Sequence, residues 1–215
     1  MMHPILLAIV FTIILTSCDA QTSDRRASSR SVGGHVGGPC EGCEAIHEYG
    51  NTPLFPVDTL PSYTDNEPKL VVRGTIFQRD GITPAPNVIL YIYHTDRRGR
   101  YARTGNETGW AKRHGFVRGW IRTGADGRYT FHTFRPAAYA DGTEPEHIHA
   151  VVKEPDINEY YIDDFMFDDD SLLTQSRRDR LPKRGGSGIV HPHVENGILT
   201  IRRDIVLGLN IPDYR

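Results

Sequence analysis

Residues 70–95, LVVRGTIFQRDGITPAPNVILYIYHT, carry the pattern that decides the fold. Two runs rich in β-branched and aromatic residues, 70–78 and 88–95, flank a segment with two prolines and a glycine. Such runs favour strands, whereas proline and glycine favour a turn between them. The stretch therefore predicts two consecutive strands joined by a turn.

Further runs of the same kind follow this pair. Residues 120–134, WIRTGADGRYTFHTF, predict a strand, a turn and a second strand. Residues 147–154 and 160–167 predict two more strands, and residues 197–209 predict a last strand or hairpin. Only residues 171–181 suggest a helix, of one or two exposed turns. Strands at roughly ten-residue spacing predict an all-β fold, a β-sandwich with long irregular loops and little helix.

The composition limits the classes of function. The chain has 215 residues, of which 38% are hydrophobic and 24% are charged, so it can form one sizeable core. Its net charge of −2 gives no bulk attraction to nucleic acid, and we predict no nucleic-acid partner. The phosphate-binding, dinucleotide-binding and serine-hydrolase motifs are absent from the sequence. The sequence does not indicate an oligomeric state.

The N-terminus is typical of an exported protein. Residues 5–15, ILLAIVFTIIL, are eleven residues without a charge, too few to span a bilayer core of about 30 Å. The following residues, ending in Cys18, resemble the lipobox of bacterial lipoproteins, although the usual Lys or Arg at the start is missing. We predict a signal peptide at 1–17, lipidation of Cys18 and a lipid anchor on the bacterial cell envelope as the only membrane contact. An ordinary signal peptide is the alternative.

The remaining chain divides into three predicted parts. Residues 18–39 are polar and rich in Gly and Ser, which predicts a flexible tether. Residues 40–69 form an N-terminal extension, and residues 70–215 form the sandwich domain. Cys40 and Cys43 lie in the extension, where a local disulfide is favoured because the protein is exported. A redox centre, a metal site and free thiols are the alternatives.

The string EPEHIH at residues 144–149 is the most informative for chemistry. In a strand, residues two apart project from the same face, so His147 and His149 could both bind one metal ion. Exposed histidines are common, and the spacing alone leaves a structural interpretation open.

The order of motifs is more specific than this histidine pair. Residues 74–101, residues 123–139 and the EPEHIH string together resemble the intradiol ring-cleavage dioxygenases. The resemblance implies a β-sandwich that holds a non-haem ferric ion, Fe(III), through two tyrosines and two histidines. Carried over by position, the four ligands are Tyr101, Tyr139, His147 and His149.

The resemblance also implies a reaction. A small catechol-type aromatic diol and dioxygen would give a muconate-like dicarboxylate, with both oxygen atoms retained in the product. Tyr139 would be the catalytic residue, acting as a base after leaving the metal. Tyrosine phenolates suit the role of ligands because ferric iron is a hard cation that prefers hard anionic donors.

Three positions around the predicted ligands depart from the family pattern. Glu144 stands where the family commonly has arginine, and Asp164 stands where it has glutamine. His94 lies in a segment that often reads W-Q-A, and it is expected either to line the pocket or to be hydrogen-bonded nearby. We expect Glu144 to disfavour an anionic substrate unless it is turned away or protonated. Glu144 and Asp164 keep open the alternative of a non-catalytic or metal-holding binding module. The His147–His149 pair leaves a zinc hydrolase as a third, weaker alternative.

Overall fold

The computed structural model describes residues 35–214. The predicted signal peptide, the lipidation site Cys18 and residues 19–34 of the predicted tether lie outside the described residues. Among residues 35–214 no helix combines the length and the apolar character that crossing a bilayer requires.

Strands account for most of the regular structure in the described part of the chain. In chain order they are β1 (Val57–Thr59), β2 (Lys69–Phe77), β3 (Ile89–Tyr93), β4 (Arg118–Arg122), β5 (Arg128–Phe134), β6 (His147–Lys153), β7 (Tyr160–Tyr161), β8 (Phe165–Phe167), β9 (Ile189–Val190), β10 (His193–Glu195), β11 (Ile198–Arg202) and β12 (Ile205–Val206). The helices are a 3-10 helix at Cys43–His47, α1 at Ala111–His114 and α2 at Gln175–Asp179. The prediction of an all-β fold with little helix is confirmed.

The long predicted strands occur with small shifts at their ends, and the segment 160–167 divides into β7 and β8. The single predicted helix is the short α2, which begins after Thr174. The Thr174 side chain accepts a hydrogen bond from the backbone N–H of Arg177, which satisfies one free donor of the first turn. Strands β1, β9 and β10 were not predicted, because two or three residues are too few to show an alternating pattern.

The strands form two mixed sheets. The first has the order β1-β5-β2-β11-β10, and β12 also pairs with β2. The second has the order β4-β3-β6-β8-β9, and β7 also pairs with β6. Each sheet combines antiparallel pairs, such as β2–β5 and β3–β6, with parallel pairs, such as β2–β11 and β8–β9.

Alternation along the strands places the core between the sheets. Leu70 and Val72 of β2 and Ile148 and Val152 of β6 are fully buried in one hydrophobic cluster. Because successive side chains of a strand point to opposite faces, the odd-numbered residues of β6 point away from this core. The outer face of the second sheet is therefore where His147 and its neighbours lie.

The N-terminal extension covers another part of this outer face. Its 3-10 helix packs Ala45 and Ile46 against Ile89, Tyr91 and Val151 of the second sheet. Strand β1, also in the extension, pairs in parallel with β5 of the first sheet. The extension thus contributes to the folded domain and does not form a separate unit.

The end of the predicted tether is also held by the domain. Val36 is buried, and its backbone N–H donates to Oδ1 of Asn158 at 2.9 Å. The N–H of Gly37 donates to the carbonyl of Pro212 at 2.8 Å. The chain is therefore held by the domain from Val36 onward, because the apolar side chain of Val36 is buried. This residue lies inside the predicted tether of residues 18–39, so the tether ends earlier than predicted.

Candidate metal centre

Four side chains converge at the start of β6. The hydroxyl oxygen of Tyr101 lies 2.6 Å from that of Tyr139 and 2.6 Å from Nε2 of His149. The Nε2 atoms of His147 and His149 lie 3.0 Å apart. The structure therefore brings together all four side chains that the family resemblance selects, although 48 positions separate the first from the last.

Two tightly packed loops supply the tyrosines. Tyr101 follows β3 after a turn in which the backbone N–H of Gly99 donates to the carbonyl of Asp96. A Cβ built on Gly99 would lie 2.0 Å from the carbonyl oxygen of Ala138, and its φ is +70°. Only glycine accepts both the close approach and this backbone angle. The contact places the loop of Tyr101 against the loop of Tyr139.

Hydrogen bonds orient both imidazoles. Nδ1 of His147 lies 2.6 Å from the carbonyl oxygen of Pro145, and Nδ1 of His149 lies 3.0 Å from Oδ1 of Asp164. Because both partners are acceptors, the hydrogen-bond network assigns the proton of each ring to Nδ1. Each Nε2 then presents its lone pair to the cluster, the arrangement that outer hydrogen bonds give to metal-binding histidines.

The β6–β8 register explains the position of Asp164. His147 pairs with Met166 and Ile148 pairs with Phe165, so one step further places Asp164 beside His149. Burial would raise the pKa of Asp164, but the neighbouring His149 and its hydrogen bond lower it below the ordinary value. Asp164 is therefore held as a carboxylate that accepts a hydrogen bond from the Nδ1–H group of His149.

The electrostatics of the cluster favour a bound cation. Burial is the main cause of the raised pKa values of Tyr101 and Tyr139, so ionised phenols are costly there by themselves. Burial also lowers the pKa of His147, which keeps that ring neutral. The Nε2 lone pairs of His147 and His149, which face each other at 3.0 Å, repel unless a positive charge lies between them. A cation would both relieve this repulsion and stabilise the phenolates.

The spacing and chemistry of the donors fit a metal ion. Two metal–ligand bonds of about 2.0–2.1 Å at a right angle separate their donor atoms by about 2.9 Å, close to the 2.6–3.0 Å found here. His147, His149 and Asp164 also offer donor atoms that all lie within 4.8 Å of one another. Because Asp164 accepts from His149, we assign it the role of orienting that ring.

Replacing Asp164 with asparagine is expected to lower metal affinity about 10- to 100-fold, the usual cost of removing such an orienting partner. The amide keeps the size of the side chain but removes the negative charge that holds the Nδ1 proton of His149. Competition with a chelator measures the affinity. Asp156→Asn, at an exposed position, is the matched control, and equal affinity of the two variants would contradict the role given to Asp164.

A stack of aromatic rings also supports His149, and the sequence did not indicate it. The Tyr93 ring lies between the rings of His149, at a centroid distance of 4.5 Å, and His114, at 3.8 Å. Tyr93 pairs with His149 across β3 and β6, so it shares the outer face. The contact from α1 depends on the long loop between β3 and β4, whose path the sequence pattern does not reveal.

His94 does not contact the cluster. Its Nδ1 lies 2.8 Å from the carbonyl oxygen of Thr95, and its Nε2 lies 2.7 Å from Oγ1 of Thr133. The residue is buried, and burial lowers its pKa to about 4. His94 is thus a hydrogen-bonded core residue, and it does not line the cavity described next.

A cavity of about 510 Å³ opens beside the cluster. Three of the four candidate ligands line it, namely Tyr139, His147 and His149. Glu144, Asp164 and residues in and near α2 complete the wall. The residues from β8 and the α2 region are Met166, Leu173, Arg177, Arg180 and Leu181. A cavity of this size with a mixed polar and apolar lining, beside the candidate metal centre, can accommodate a small aromatic molecule.

Glu144 is not a free charge at this cavity. Its Oε2 accepts from Nη1 of Arg177 at 2.8 Å, and Nη2 of Arg177 also donates to the carbonyl of Thr143. The unfavourable effect on anions expected from the sequence is therefore compensated by an arginine 33 positions away.

The three cysteines are the remaining predicted site residues. Cys40 and Cys43 form a disulfide, and Cys40 lines a smaller cavity of about 240 Å³ that His149 also borders. Cys18 lies outside the described residues.

The fold and this cluster of tyrosines and histidines define a β-sandwich of the dioxygenase type with a candidate metal centre. The family model Dioxygenase_C, described as a dioxygenase, matches residues 57–181. The chain therefore belongs to the intradiol dioxygenase family, as the order of its motifs predicted.

Two curated relatives are catechol 1,2-dioxygenases 2 and 1 of Acinetobacter lwoffii. Each is 28% identical to this chain, over 135 and 102 residues. The matches cover 50% and 39% of this chain, and 47% and 31% of the relatives. The chain thus spans about half the length, or less, of the curated relatives it matches.

Solved structures share the fold. The dioxygenase domain of a carbohydrate-binding fusion protein from Streptomyces sp. SirexAA-E has a TM-score of 0.50 at 23% identity, covering 74% of this chain and 94% of that one. Catechol 1,2-dioxygenase from Acinetobacter sp. ADP1 has a TM-score of 0.55 at 20% identity, covering 73% and 58%. Hydroxyquinol 1,2-dioxygenase from Pseudomonas putida DLL-E4 has a TM-score of 0.52 at 17% identity, covering 84% and 68%.

Proposed function

We propose that the protein is a non-haem Fe(III) dioxygenase that opens the ring of a catechol-type diol between its two hydroxylated carbons. Both atoms of dioxygen enter the product, a muconate-like dicarboxylate. The observation that carries the proposal is the convergence of two phenol oxygens and two imidazole nitrogens within 2.6–3.0 Å beside a cavity of aromatic size.

The donor set favours ferric iron over zinc. Phenolates are hard anionic donors that stabilise an oxidised, hard cation, and a zinc site with two tyrosines would be unusual. Bound ferric iron would supply Lewis acidity that makes a chelated diol reactive toward dioxygen. Tyr101, Tyr139, His147 and His149 are the proposed ligands.

We assign the two tyrosines different roles. Tyr139 lines the cavity, whereas Tyr101 does not. Once released from a bound metal, the Tyr139 phenolate would be a strong base for a hydroxyl proton of the substrate, because burial raises the pKa of this tyrosine. The hydroxyl of Tyr101 is within hydrogen-bond distance of both Tyr139 and His149, and its role is to keep the metal in place.

The activity is tested by oxygen uptake. Ferric protein mixed with catechols of different substitution should consume one dioxygen for each diol, and the product should be a ring-opened dicarboxylate. Protein stripped of metal is the control. An iron-loaded protein that consumes no oxygen with any diol would contradict the proposal and favour a metal-holding binding module instead.

We also propose that the protein is exported and held on the cell envelope by a lipid on Cys18. The support is the apolar run at residues 5–15 followed by the lipobox-like end. Cells fed a clickable fatty acid should label the wild-type protein but not Cys18→Ser. Labelling of both proteins, or of neither, would contradict the anchor.

A further inference from the structure

One wall of the cavity is formed by α2 and the residues after it, and this wall carries two arginines, Arg177 and Arg180. Arg177 is paired with Glu144, as described above. Arg180 lines the same cavity, is exposed, and its side chain makes no hydrogen bond or ion pair with residues 35–214. The two carboxylates that line the cavity are both engaged, Glu144 by Arg177 and Asp164 by His149, so the guanidinium of Arg180 is left without a partner among residues 35–214.

Apolar side chains line the same cavity as these arginines. Leu173 and Met166 are buried, and Leu181 is half-buried at the same cavity. Such a surface suits the face of an aromatic ring, while the guanidinium of Arg180 suits an anionic group at the edge of that ring. A ring without a charge would use the apolar contacts and leave this guanidinium to water.

We propose that Arg180 binds a carboxylate substituent of the substrate, so that the preferred substrates are aromatic diols that carry a ring carboxylate. This inference rests on the proposed function. The Glu144–Arg177 pair is what makes it possible, because an unpaired Glu144 at the same cavity would repel the anion. A guanidinium–carboxylate contact is a charge-assisted hydrogen bond, stronger than a neutral one.

The test uses two ligands that lack a second hydroxyl and therefore are not cleaved. 4-Hydroxybenzoate and 4-methylphenol share a phenol ring and differ in the carboxylate. Titration of the iron-loaded wild-type protein should show about tenfold tighter binding of 4-hydroxybenzoate, as expected for one charged hydrogen bond. Arg180→Gln should lose this preference, with the affinity for 4-methylphenol unchanged.

Arg128→Gln is the matched control, because it removes the same charge from an exposed position on the first sheet. Equal affinities of wild type and Arg180→Gln for 4-hydroxybenzoate, or no binding of it to the wild type, would overturn the inference. Oxygen uptake with uncharged catechol in that case would leave the proposed function intact. Selective binding without oxygen uptake from any diol would instead overturn the proposed function alone.

Discussion

Replacing His149 with alanine is expected to reduce iron content and diol turnover more than 100-fold. Its Nε2 lies 2.6 Å from the Tyr101 hydroxyl oxygen and 3.0 Å from Nε2 of His147, so its loss removes one ligand and the atom that these two share. The expected loss exceeds the 10- to 100-fold cost of removing an outer hydrogen bond. Metal analysis and oxygen uptake measure the two effects.

His191→Ala is the matched control for this variant. His191 belongs to a second pair of histidines two residues apart, but its side chain is 81% exposed and pairs with Asp168. That variant should keep both iron and activity. Wild-type iron content in His149→Ala would contradict the proposed ligand set.

Replacing Phe131 with alanine is expected to lower the free energy of unfolding by about 3–5 kcal/mol, the usual cost of removing a buried aromatic ring. Phe131 lies on β5 in the core between the two sheets and is fully buried. Urea unfolding followed by circular dichroism measures the loss.

Phe55→Ala provides the comparison, since Phe55 is 66% exposed and its loss should change stability by less than about 0.5 kcal/mol. If Phe131→Ala were as stable as Phe55→Ala, the assignment of β5 to the core between the sheets would be wrong.

The sequence predicts the long strands because they alternate. In β2 and β6 the residues that point to the core are apolar and their neighbours are mixed, which is a pattern visible without coordinates. The His147–His149 spacing follows from the same alternation. The family resemblance was needed to select Tyr101 and Tyr139, since both lie in loops, where no periodicity applies.

The charges around the cavity could not be predicted, because they depend on long-range packing. Glu144 and Arg177 meet only when the chain after β8 returns over the loop that precedes β6. Arg177 and Arg180 are three residues apart, a spacing that places them on one side of a helical turn. That spacing is a weak signal in a segment with few apolar residues, and it does not tell which surface the turn covers.

The metal content and the visible spectrum of protein expressed with iron test the proposed iron centre most directly. One iron per chain and a broad visible band from tyrosinate bound to ferric iron are expected, with the band altered in Tyr101→Phe. A colourless protein, or one that holds zinc in place of iron, would contradict the assignment of the cluster as an iron centre.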